Sequence, residues 1–531
     1  MTYLFNKNVN PQNNNVVVSI TNPLPVTGNM GINGDVTVDF GPTGTSAFGE
    51  LSTVSTNPIV QLDAIYGINN FDFTKYTQGT GSSANTDANS ELIIASSGTA
   101  ANGYSSILSR KYMKYRPGQG AVCRFTAAFT PNTATTIQKA GFTDTEVGLC
   151  VGYNGTDFGI LRETGGKVAI YELGVTAAPN ATQNVTVTLN SVSTTFPIHS
   201  GNSTNAAVEI FNDGTTNYPN WLVEQVANTV IFRSIFPTAT PGTFSFSSTG
   251  NATANIVQIQ AGANSTQYWV KQEDFNIDCL GKANTTSNTM GPNPSGMTLL
   301  PQYLNVYQIN FRWLGAGVIN FAIENSETGK MINFHQIRYS NRNAIPHISN
   351  PSFRIGYVVN NNGATSNTHV SGASMMMGIE GIINANKVSK AASANTVSLS
   401  KDTAHNVLSL RNSYTYNNKL NALSLNLRRI GFAVESNDPV EVLVFQNAVL
   451  NSALAFVDIK YSCATMSTTA TTINLQTNQP IASFQTGVNG VGNIDIFDLL
   501  ISEPPGSVIT FAVKSGAIIA RASISATWTE D

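Results

Sequence analysis

"VGLCVGYNGTDFGILRET", Val147 to Thr164, reads as two strands joined by a tight turn. Val147, Leu149 and Val151 alternate with other residues, and Phe158 and Ile160 resume the alternation after the turn. Asn154-Gly155 between them supplies the positive φ angles of a short hairpin loop. A period of two sends alternate side chains to one face, so the stretch predicts an antiparallel hairpin packed on a core.

The same signature recurs on both sides of it. "KVAIYELGV", "QNVTVTLNSVSTTFPI", "AAVEIFNDG", "TVIFRSIF", "TANIVQIQAG" and "FRIGYVVNN" read as further strands, with Gly, Asn and Pro between them. In "NVYQINFRWLGAGVINFAIE", strands Val306 to Trp313 and Val318 to Glu324 flank a turn holding Gly315 and Gly317, predicting a core hairpin. A helical reading competes only in "NYPNWLVEQVANTV", around Trp221. Many short strands at close spacing predict a mainly β chain built from antiparallel β-sandwich or jelly-roll domains.

With 531 residues the chain exceeds one ordinary core, since a domain usually takes about 100 to 200 residues. Residues 1–48 carry short strands punctuated by Pro23, Pro25, Gly28, Gly31 and Gly34, which predicts an extended N-terminal arm or oligomerising stem. Residues 49–385 form a large, lectin-like sandwich. Residues 386–408 lose their aromatics and read as a linker or extended strap, and residues 409–531 form a second sandwich. Its last strand has Ile518, Ala520, Ala522 and Ile524 at core-facing spacing.

Charged residues make up 11% of the chain, against about 25% in an average soluble domain, and Asn, Ser, Thr and Gly take their places. Such a composition disfavours exposed helices. The formal net charge of -3, without a strong basic stretch, excludes a nucleic-acid partner. No run of 18 apolar residues predicts membrane insertion, and the first residues lack a secretory pattern. Cys123, Cys150, Cys279 and Cys463 are too widely spaced for a zinc site and read as free thiols.

In "KYRPGQGAVCRFTAAF", Lys114 to Phe129, Pro117 and Gly118 fit the central positions of a type II turn, and no Lys and Ser/Thr follow the glycines as a phosphate loop requires. Lys114 and Arg116 beside it are candidate subunit contacts, as are Met375 and Met376 in "SMMMGIE". Aromatics for stacking on sugar are Tyr153, Trp221, Trp269 and Trp313. Glu163, Glu273, Asp274, Asp278, Glu324 and Glu327 sit at strand ends or turns, where ordinary solvated carboxylates are expected. The five histidines show no metal-ligand spacing, and no catalytic residue, metal or cofactor site is expected.

Taken together, "NPLPVTGNMGINGDVTV", "SRKYMKYRPGQGAVCRFTAAF", "GLCVGYNGTDFGILRETGG", "WVKQEDFNID", "NVYQINFRWLGAGVINFAIENSETG" and "SISATWTE" resemble a family of virion structural proteins of tailed phages, marine ones especially, and of some large DNA viruses of algae. The resemblance implies a non-enzymatic capsid, vertex, fibre or tail subunit, made in the host cell and assembled into the virion with other virion proteins and with copies of itself, as a homotrimer. The other reading is an adhesin that recognises host surface glycan.

Overall fold

The structure is a computed structural model, and it describes residues 56–531 apart from 70–71, 87–91, 132, 145, 219, 284–290, 382–387, 453, 497–498 and 500. The expected N-terminal arm, residues 1–48, lies outside the described residues. The chain is nearly all β, in multiple antiparallel sheets.

Among the described residues, the first sandwich pairs a nine-stranded sheet with an eight-stranded one. The nine-stranded sheet centres on Ala121–Phe129, flanked by Asn305–Phe311 on one side and by Ser374–Glu380 and His369–Gly372 on the other. The eight-stranded sheet runs in the order Thr266–Lys271, Asp157–Thr164, Gly148–Asn154, Ile137–Thr143, Ser352–Asn360, Tyr104–Ser109, Phe73–Gln78, with Met113–Lys114 beside Ser352–Asn360. Leu149, Val151, Phe158 and Ile160 of the opening hairpin enter the core between the sheets, as alternation predicts. Phe142, Phe311 and Phe353 meet there at centroid separations of 5.2 to 5.3 Å. Each such ring contributes about 1.5–3 kcal/mol by leaving water.

The turns follow their local chemistry. Gly118 has φ +89°, and Gln119 N donates to Arg116 O at 3.1 Å, which closes the type II turn over Pro117 and Gly118. In the opening hairpin the loop is one residue later than expected. Asn154 still pairs with Asp157, so Gly155 and Thr156 form the loop, and only Gly155 has positive φ, at +64°. That is the arrangement with glycine in the first central position. At Asn305–Phe311 and Ile319–Glu324, Gly317 is required by close approach: a Cβ there would stand 2.1 Å from Arg312 O. Gly315 takes φ +83°.

Between Glu163 and Thr266 the chain leaves the first sandwich and builds an insert with its own core. One sheet holds Trp221–Val226, Thr229–Ser234, Ile170–Ala177 and Thr253–Gln260, and the other Val192–Ile198, Gln183–Leu189 and Ser245–Ser248. Helix α1, Ser203–Asn217, packs on them through Ala206, Ala207 and Ile210. The helix therefore falls on "AAVEIFNDG", expected as a strand, and the strand on "WLVEQV", expected as the helix. Asn202 starts α1 by accepting Asn205 N at 2.8 Å, and Ala207 and Ile210 share a helical face. Trp221–Val226 instead pairs with Thr229–Ser234 across a turn in which Ala227 has φ +52°.

The second sandwich has a five-stranded and a seven-stranded sheet among the described residues. Lys390–Leu399, within the expected linker, is an edge strand paired with Ile519–Glu530, and Ala404–Asn412 is central in the other sheet. In the final strand Ala522 and Ile524 are buried as expected, but Ile518 is exposed and Ile519 is buried in its place. A bulge explains this: the register with Leu425–Ser436 shifts between Glu435 and Ser436, skipping Ala520 and inverting the alternation.

Glu503 lies fully buried in this sandwich, where its Oε2 accepts from Gln446 Nε2 at 3.2 Å and its Oε1 has no hydrogen-bond partner. Burial pushes its carboxyl up to about 7, against smaller opposing effects of Gln446 and Arg110. A raised folded pKa means that the protonated residue favours folding: its contribution is complete below the ordinary carboxylate range and is lost as pH rises through about 7. Glu503→Gln should raise Tm at about pH 8 and leave it near wild type at about pH 4. Equal Tm values at the higher pH in a calorimetric scan would contradict a buried, strained carboxylate.

Candidate functional site

A lone sandwich would expose the outer face of its eight-stranded sheet to water. Here that face carries Lys139, Thr143, Glu163, Arg354, Tyr104 and Ser106, and the other two bodies close over it. Leu222, Arg233 and Phe236 of the insert and Tyr414, Asn421 and Pro505 of the second sandwich leave a cleft of about 380 Å³. Coverage explains why Cys150 and Leu161, on the outward side of the opening hairpin, are as buried as its core residues.

Beside the packing of Tyr76 and Tyr104 of the first sandwich on Phe236 of the insert, polar contacts join the three bodies. Arg411 of the second sandwich and Glu224 of the insert pair at 2.8 Å, both almost wholly buried. The contact is bent away from hydrogen-bond geometry, so its strength is electrostatic. Its neighbours are better aligned: Glu224 Oε2 accepts Tyr414 N at 3.0 Å, and Arg411 Nη2 donates to Gln225 O at 2.5 Å. Arg411 also lies 4.0 Å over the Phe456 ring, and Ala227 N donates to Phe456 O. The first sandwich joins through Tyr76 Oη to Asn220 Oδ1, 2.9 Å, and through Arg116 to Asp531, 2.8 Å.

The floor of the cleft holds two buried ion pairs. Lys139 meets Glu163 at 2.6 Å, and Glu163 also accepts from Ser265 Oγ at 2.5 Å and Gln267 Nε2 at 3.1 Å. Burial works against both charges, but the pair outweighs it, holding Lys139 above and Glu163 below their ordinary values. Arg354 meets Asp144 at 3.1 Å, and Tyr112 Oη donates to the same oxygen at 3.1 Å. Burial pushes the Tyr112 phenol well up. At one side Tyr76, Tyr104 and Phe236 form a triangle with centroids 4.8 to 5.8 Å apart.

The sequence-predicted residues scatter. Tyr153 is buried with Phe129 and Phe158 edge-on to it, so it offers no face to a sugar. Trp221 packs edge-to-face with Tyr171 and Phe244, and Trp313 donates Nε1 to Ile348 O at 3.0 Å while resting on the first core. Trp269 is half-buried on the edge strand Thr266–Lys271. None of the four lines the cleft. Met375 is core, Met376 is half-buried opposite Arg124 and Gln61, and Lys114 is exposed. Arg116, expected at a subunit contact, is engaged within the chain by Asp531. Glu163 and Asp278, expected as solvated, are buried, the latter accepting Leu280 N at 2.8 Å.

Sequence reading missed Lys139, Arg233 and Arg354. Each is a basic residue embedded in an apolar strand, in "IQKAGF", "TVIFRS" and "FRIGYVV", and that placement was the available signal. Among the described residues no cluster of His, Cys, Asp and Glu could hold a metal, all four cysteines are free thiols, and no helix is long and apolar enough to cross a membrane.

The sequence matches no protein-family model and no curated protein. Among solved structures, lectin UEA-II complexed with galactose aligns with 61% of this chain and 99% of its own, at 8% identity and a TM-score of 0.23. A lectin from Bauhinia forficata in complex with GalNAc covers 60% and 98%, at 10% identity and TM-score 0.19. The Faustovirus major capsid protein covers 87% and 91%, at 9% identity and TM-score 0.09. Likenesses this small carry no argument about function.

Removing one partner of a buried ion pair strands the other charge, at about 3–5 kcal/mol. Lys139→Met and Glu163→Leu should therefore each destabilise the chain by about that much, while the double variant recovers most of the loss. Additive losses in a double-mutant cycle by denaturant unfolding would contradict the coupling.

Proposed function

We infer that this chain is a non-catalytic glycan-binding protein that serves as an attachment subunit of a virion. The observation that carries the glycan reading is the cleft itself, in which an aromatic triangle adjoins a dense set of hydroxyl, amide and charged groups. A sugar ring has an apolar face that lies against an aromatic side chain and a rim of hydroxyls that bond to fixed polar groups. All three rings are half-buried, and Tyr76, on the edge strand Phe73–Gln78 of the eight-stranded sheet, supplies the stacking surface. Ser106, directly across from it on the next strand, and Thr143, Ser265 and Gln267 further along the same cleft supply polar partners.

The non-catalytic reading rests on the state of the cleft's carboxylates. Glycoside cleavage needs a protonated carboxyl as acid and a second, free carboxylate. Glu163 is held ionised by Lys139, and Asp144 is committed to Arg354 and Tyr112.

Assembly into a particle is favoured by a second surface. The outer face of the five-stranded sheet aligns Ser393, Ser525, Gly431 and Asn493 in one row and Asn395, Ser523, Ala433 and Val491 in the next. These two rows are small and uncharged, flanked by Arg429 and Asp495 on one side and by Glu435 and Arg521 on the other, and Val397 and Val491 stand 62% and 80% exposed on the face. Such a face packs closely on a neighbouring copy, in keeping with the virion-protein resemblance and a homotrimer.

Two outcomes are expected. On a glycan array followed by calorimetry, wild type binds a defined saccharide and Tyr76→Ala weakens it by roughly tenfold; binding that survives unchanged would move the site elsewhere. By light scattering the chain has the mass of a trimer and Ser525→Arg that of a monomer; an oligomer unaffected by this substitution would remove the sheet face from the interface.

A further inference from the structure

The cleft is strongly biased in charge. Lys75, Arg110, Lys139, Arg233 and Arg354 line it against two carboxylates, Asp144 and Glu163, in a chain whose net charge is -3. A chain so sparing of charge has gathered five basic residues around one opening.

Arg233 differs from the others. It extends from Thr229–Ser234 on the face opposite Val230 and Phe232, which fill the insert's own core. Only 7% of it is exposed, and its Nε and Nη1 have no hydrogen-bond partner. Its neighbours do not fill that need. The Tyr414 ring lies 5.1 Å from the guanidinium and accepts no conventional hydrogen bond from it. Glu146 is within electrostatic reach, but its Oε1 accepts Val168 N at 2.8 Å and Gln260 Nε2 at 3.4 Å. Arg354 and Lys139 are already answered by Asp144 and Glu163. A guanidinium cannot shed its charge at neutral pH, and leaving buried donors unmade is costly, so the site is organised for an incoming acceptor.

The geometry points to an acidic saccharide as the ligand: the anionic substituent, a carboxylate or sulfate, seated at Arg233, and the sugar ring against Tyr76. This deepens the glycan reading and rests on it. A neutral sugar of the same size would leave the Arg233 donors unpaired and lose the charge-assisted bonds that distinguish it from its acidic counterpart.

The test uses the full chain and three size-matched oligosaccharides, one carrying a hexuronate, one a sulfate ester and one neutral, titrated by calorimetry at low and moderate salt. Either acidic oligosaccharide should bind at least roughly tenfold more tightly than the neutral one, with the advantage shrinking as salt rises. Arg233→Gln should abolish the advantage of either acidic oligosaccharide over the neutral one. Equal affinities for acidic and neutral oligosaccharides would overturn the inference and leave the glycan reading standing. Failure of all three, against a positive control, would overturn both. The wild-type comparison alone decides the matter should Arg233→Gln not fold.

Discussion

The buried contact between Glu224 and Arg411 is the constraint on which the arrangement of the three bodies depends. Two charges taken out of water are expensive, and their attraction repays the cost only when the remaining polar atoms are also satisfied. Here the backbone helps to do that: Tyr414 N serves the carboxylate, and the Gln225 carbonyl serves the guanidinium. The insert is thereby fixed on the second sandwich at the register that carries Arg233 and Leu222 over the eight-stranded sheet. A junction built from loosely packed apolar side chains would permit sliding, whereas directional bonds from two adjacent residues do not.

From that junction the chemistry of the cleft follows. A sheet face built for water would carry solvated polar residues, but this one is covered, so its charges have to be matched. Lys139 with Glu163 and Arg354 with Asp144 meet that requirement inside the first sandwich. Arg233 does not, and it is contributed by the covering body. The cleft is thus complete in shape but incomplete in charge.

Local structure was largely legible in the sequence, because turns and strand alternation are decided over a few residues. Pro117-Gly118 and the hairpin around Gly155 follow from backbone sterics alone, the second displaced by one position. The exchange of helix and strand between residues 203–217 and 221–226 shows the limit: both runs are short and apolar, and the cap at Asn202 and the pairing with Thr229–Ser234 separate them. The bulge that hides Ile519 in place of Ile518 is likewise a property of pairing. The site was the least legible part. Its residues come from seven or more separate strands and loops, and the conspicuous aromatics Tyr153, Trp221 and Trp313 serve cores instead. Basic residues inside apolar strands were the better guide, since a charge placed there requires a partner in the fold or outside it.

The most direct test of this account is a crystal structure of the full chain with a bound hexuronate-containing oligosaccharide. The account predicts density in the cleft, with the carboxylate at hydrogen-bond distance from Arg233 and a sugar ring against Tyr76. An empty cleft with the saccharide bound elsewhere, or an Arg233 side chain turned to a protein partner, would contradict it.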